Sequence, residues 1–83
     1  MDERVEDNPL WSILVETVHT LPMYPIHKAY VRDTLLYEKP DLTPESLSHL
    51  LNISLGEALV ILHEIKEAVE REAESLKEAK TSS

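Results

Sequence analysis

With 83 residues and a formal charge of −8, the chain has room for one small domain and carries a surface that opposes a phosphate backbone. It has no cysteine and a single glycine, which excludes a disulfide framework, a thiolate metal site and a glycine-rich phosphate loop. No apolar run long enough to span a membrane and no signal-peptide pattern is found, so a soluble, cytoplasmic protein is expected.

A domain of this size removes only about 60% of its unfolded surface from water, so association with a partner is expected to support it. The charge is uneven along the chain. Residues 1–20 hold five acids and one base (−4), residues 21–40 two acids and three bases (+1), and residues 41–83 nine acids and four bases (−5).

Residues 1–8 are expected to form a disordered acidic tail. Asn8 followed by Pro9 is a cap-plus-proline start for a helix through about Thr20. Leu10, Trp11, Leu14, Val15 and Val18 share one apolar stripe, with Ile13 widening it, and Trp11 is expected to anchor the core. Leu21-Pro22 ends this helix, and Pro22-Met23-Tyr24-Pro25 reads as a bend, because two prolines restrict themselves and the residues before them. A second helix is expected over Ile26–Glu38. Ile26, Ala29, Tyr30, Thr34 and Tyr37 form its broad inner face, with Val31 and Leu35 beside them, and Lys28 and Arg32 lie one turn apart outside.

Thr43-Pro44 repeats the capped start, and Leu47, Leu50 and Leu51 recur at helical spacing until Asn52, a residue suited to a left-handed stop. Ser54-x-x-Glu57 fits a capping box and starts another helix at Leu55, which leaves room for one short helix and one turn between the two caps. That last helix is expected to run to about Ala79, or ~38 Å at 1.5 Å per residue, against a width of roughly 30 Å for a compact chain of this length. Its distal end should therefore project, with residues 80–83 a disordered tail. Leu55, Leu62, Val69 and Leu76 are seven apart, and Ala58, Ile65 and Ala79 fill most of the intervening heptad positions. Leu62, Ile65, Val69, Ala73 and Leu76 are accordingly the expected homodimerisation residues, with fraying of this end in a monomer as the other outcome.

The segment 43–65 resembles a helix-turn-helix unit of the winged-helix-like superfamily of small regulators, through Leu47, Ser48, Leu51, Asn52, Ile53, Ala58 and Ile61. An ordinary αα-hairpin is the competing reading of the same residues. No basic, glycine-rich hairpin follows, so the wing is missing. The resemblance implies that Ser54, Leu55, Gly56, Leu59, Val60 and His63 occupy the positions that enter a major groove. Base edges call for Arg, Lys, Asn or Gln, and none stands there. Leu55, Leu59, Val60 and His63 are therefore expected to meet a protein partner. The competing function is a dimeric DNA-binding regulator using Lys28 and Arg32, the candidate phosphate contacts outside the acidic segments, although two such bases are more often a solvated face.

The expected fold is thus all-α: one helical domain over residues 9–79, with a helix-turn-helix unit at 43–65 and a long C-terminal helix. Catalysis has less support. His19, His27, His49 and His63 are scattered, and His63-Glu64-x-x-Glu67 departs from the zinc-protease pattern where its second histidine should be. No enzyme activity, cofactor or metal is expected.

Overall fold

The computed structural model describes residues 7–81, with side chains through residue 76. Helices α1 (Pro9–His19), α2 (Tyr24–Tyr30), α3 (Leu36–Glu38), α4 (Pro44–Leu51) and α5 (Leu55–Thr81) follow in order, with a π-helical stretch, Val31–Leu35, joining α2 to α3. There is no strand among the described residues. Most of the expected acidic tail, residues 1–6, lies outside the described residues, as do Ser82 and Ser83. The backbone of Lys80 and Thr81 continues α5 rather than forming a tail.

Three helix starts are fixed by side-chain caps. The Asn8 side chain accepts from the Leu10 N–H at 2.9 Å, and Pro9 costs nothing in the first turn, where an N–H has no helical acceptor. Thr43 and Ser46 form a reciprocal capping box, each side-chain oxygen accepting from the other's N–H at 3.2 Å. Ser54 Oγ accepts from the Glu57 N–H at 3.1 Å. Glu57 does not complete a box there, because its carboxyl is drawn into the interior.

Between α4 and α5, Asn52 sits in the left-handed region at φ 54° and ψ 48°. Ser48 secures the turn by donating its hydroxyl to the Ile53 carbonyl at 2.7 Å, while its own carbonyl accepts from the Ile53 N–H at 3.1 Å. Pro44–Leu51 and Leu55–Leu76 meet at a bend of 118°, within the roughly 90–120° of helix pairs joined by such turns. Replacing Asn52 by β-branched Val, which tolerates positive φ poorly, is expected to cost about 1–2 kcal/mol in urea unfolding, and Asn52→Gly less than half of that.

Val18, Tyr24, Val31, Leu35, Leu47, Ala58, Val60, Ile61 and Ile65 make the buried core, with Trp11, Leu14, Leu51, Ile53 and Leu62 packed around it. The α2 face differs from expectation. Its inner residues are Tyr24, Val31 and Leu35, whereas Ile26, Tyr30 and Tyr37 point outward, Tyr37 at 84% exposure. The helix begins two residues earlier, at Tyr24, with Pro25 harmless in the first turn, and Tyr24, Val31 and Leu35, spaced seven and four apart, share the face turned to the core, while a wider π turn at Val31–Leu35 is closed by the Leu36 N–H on the Val31 carbonyl.

The expected projection of α5 is present. The molecule measures 46 × 32 × 27 Å and its radius of gyration is 14.5 Å, against about 12 Å for a compact chain of this length. From Lys66 to Leu76 only Glu67 is even half-buried.

Candidate functional site

Two surfaces flank α5. On one side, Glu57 and Glu64, two turns apart, face the side chains of α1 and α2. Glu57 is only 5% exposed, and its Oε2 lies within hydrogen-bond distance of His27 Nδ1, at 2.6 Å. Glu64 receives the Tyr24 hydroxyl, accepts from Lys28 Nζ at 3.0 Å, and lies 2.8 Å from His19 Nε2. Burial alone would push the Glu64 carboxyl up, but the hydrogen bonds from Tyr24, Lys28 and His19 outweigh it and hold it below its ordinary value. Burial, then the bond to Glu64, pushes the Tyr24 phenol up.

An open cleft of about 480 Å³ lies over this seam, lined by His19, Tyr24, Lys28, Glu64, Glu67 and Arg71. The polar groups on its floor are already joined to one another, so the seam fastens α1 and α2 to α5. A carboxyl with a folded pKa below its unfolded value adds stability that is present above the unfolded value and lost as pH falls through the folded one. The helical signal is therefore expected to weaken below about pH 4.5, the ordinary value for this group, and Glu64→Gln should flatten that dependence while costing about 1 kcal/mol at neutral pH.

The same seam decides the standing of the two candidate phosphate contacts. Lys28 is half-buried, bonded to Glu64 and 5.8 Å from the Tyr24 ring centroid. Arg32 is exposed but forms a two-point pair with its neighbour Asp33, at 2.9 and 3.1 Å. They do not form a free cationic strip, since one closes the seam and the other is neutralised locally.

On the other side of α5 the surface is apolar. Leu10, Trp11 and Leu14 of α1, with Leu59 of α5 and Asn8 at one end, line an open groove of about 240 Å³. Gly56 allows the close approach that forms it, because a Cβ there would stand 2.9 Å from Leu14 Cδ1. Leu55, one turn before Leu59 on α5, is 52% exposed. Trp11 meets His63 edge to face, ring centroids 4.8 Å apart, so the tryptophan supports the core with one side and forms the groove wall with the other.

Among the expected partner-binding residues, Leu59 lines this groove, Leu55 is exposed one turn before it, His63 lies against Trp11, and Val60 does not reach the surface. Val60 is fully buried, because it lies on the α5 face that packs with Leu47 and Ile61. Of the expected dimerisation residues, Ile65 belongs to the core and Leu62 packs against it, so neither is free in the way that Val69, Ala73 and Leu76 are. The contribution of α1 to the groove lay beyond the reach of helical spacing. Leu10, Trp11 and Leu14 read as an inner stripe, and the exposure of Leu10 is set by where α5 begins.

His63 Nε2 and Glu67 Oε1 are 3.6 Å apart, an intrahelical pair, and no three His, Cys, Asp or Glu side chains among the described residues converge in a metal-holding group. No single helix among them is long and apolar enough to cross a membrane; the bent pair α4 and α5 reaches that hydropathy together, and its most apolar residues lie in the core. Comparison with protein-family models, characterised proteins and solved structures found no match to the chain.

Proposed function

We propose that this is a non-enzymatic interaction protein, an adaptor or dimeric regulator, in which a scaffold of helix-turn-helix type presents an apolar face where related proteins present base-reading side chains. The observation that carries this reading is the groove of Leu10, Trp11, Leu14 and Leu59, with Leu55 exposed one turn before Leu59 on α5. Its apolar lining suits anchor side chains on one face of an amphipathic helix. A net charge of −8 and the engagement of Lys28 and Arg32 with carboxylates support the same reading.

The test uses Trp11, the sole tryptophan and a groove wall. Adding a helical peptide with leucines on one face and lysines on the other is expected to shift Trp11 emission to the blue with saturation, and Leu59→Glu should abolish the shift while leaving the helical circular dichroism intact. An unchanged spectrum at all peptide concentrations defeats the reading.

The second reading, a dimer that binds duplex DNA, is favoured by the 118° bend and the left-handed turn at Asn52. It predicts a mobility shift at ~50 mM salt that Lys28→Glu with Arg32→Glu removes. The interaction reading predicts no shift at that salt.

A further inference from the structure

The exposed side of α5 carries a heptad register distinct from that of its core residues. Leu55, Leu62, Val69 and Leu76 occupy one position of the repeat, and Leu59, Lys66 and Ala73 the other, giving alternate spacings of four and three residues. The alternative flank, Ala58 and Ile65, is consumed by the core, and it is burial that selects the outer register. Leu62 and Leu59 are half-buried, while Val69 and Leu76 are 59% and 68% exposed. The stripe is continuous with the apolar groove at one end and runs onto the projecting arm at the other.

We infer that the groove is filled by the arm of a second copy of this chain, the two α5 helices pairing antiparallel about a two-fold axis near residues 67 and 68. The inference rests on reading the groove as a helix-binding surface, and it names the occupant. A two-fold pairing sets Leu76 of each copy over Leu59 and the groove of the other, small Ala73 over Leu62, and Lys66 over Val69.

Charge decides the direction. In a parallel, in-register pair the same residues meet, so the two Lys66 ammonium groups would face each other inside an apolar seam, a like-charge contact with little water to screen it. The antiparallel pair separates them, and each Lys66 meets Val69 with Glu70 of the second copy beside it.

The contact is of modest size: six seam positions of α5 in each copy, from Leu59 to Leu76, together with Leu10, Trp11 and Leu14 of the groove, are fewer than the 20–30 residues a side of a standard interface, which sets the dimer in the micromolar range rather than below it. An isologous contact also closes on itself, so it gives a dimer rather than a filament.

The chain has no cysteine, which makes disulfide trapping clean. The full-length protein is expected to scatter light as a dimer in the micromolar range, and Leu76→Glu, which puts a charge over the apolar groove of the other copy from a position exposed in the monomer, should raise the dissociation constant at least tenfold without loss of monomer helicity. Under mild oxidation, Leu76→Cys alone should give no covalent dimer, because the two positions are separated by about 26 Å along the helices at 1.5 Å per residue. Mixing Leu59→Cys with Leu76→Cys chains should give the mixed disulfide. Efficient self-linking of Leu76→Cys shows a parallel pair and overturns the inference, as does a monomer at every concentration or a dimer indifferent to Leu76→Glu. A monomer whose Trp11 still responds to the leucine-lysine peptide overturns only the identity of the occupant. A monomer whose Trp11 is also silent removes the groove reading with it.

Discussion

Leu47→Ala is expected to cost about 3 kcal/mol and to lower the thermal midpoint by roughly 15 °C, because it empties a fully buried site at the junction of α4 and α5. A domain of this length holds only about 4–12 kcal/mol in total, so one such cavity removes a large share of it. Its neighbour provides the control. Leu50, on the same helix, is 48% exposed, and Leu50→Ala should cost less than about 1 kcal/mol. Thermal unfolding followed at the helical circular dichroism band separates the two, and similar losses for both would contradict the placement of α4.

Glu57→Ala is expected to be comparably severe, at about 3 kcal/mol. It breaks a buried pair, leaves His27 Nδ1 without its carboxylate and opens space between α2 and α5. The pair as a whole is a different matter. Desolvation offsets most of the attraction inside a protein, so replacing both partners by apolar side chains of similar volume, His27→Leu with Glu57→Met, should be near neutral. Urea midpoints at an unchanged slope would measure this, and the double variant should unfold well after Glu57→Ala. If it unfolds with the single variant, the pair specifies the α2 packing rather than merely satisfying itself.

Most of the helix boundaries were legible because they are written in local chemistry. Asn8-Pro9, Thr43-Pro44 and Ser54 fix three starts, and Asn52 fixes the one left-handed stop. The start of α2 was hidden, since Pro22 and Pro25 on either side of Met23-Tyr24 read as a bend until the core gives Tyr24 a place. The π turn at Val31–Leu35 has no local signature in these residues. The α5 register was ambiguous for a geometric reason. The row Leu55, Leu62, Val69 and Leu76 can be completed by a strip on either side, and only packing against α4 assigns Ala58 and Ile65 to the core and leaves Leu59, Lys66 and Ala73 outside. Glu57 reads in the sequence as half of a capping box and Glu64 as part of an incomplete zinc-protease pattern, and neither spacing points to the seam. Their partners lie 30 to 45 residues away in the chain, a separation that no periodicity reports.

The central claim, that the face presented by α1 and the start of α5 meets polypeptide rather than duplex, is tested most directly by amide chemical-shift mapping with each ligand in turn. The account predicts that the leucine-lysine helix perturbs Leu10, Trp11, Leu14, Leu55 and Leu59, and that a DNA duplex at ~50 mM salt perturbs nothing. Shifts produced by the duplex along Lys28–Arg32 and at the first turn of α5, with the peptide inert, would contradict it.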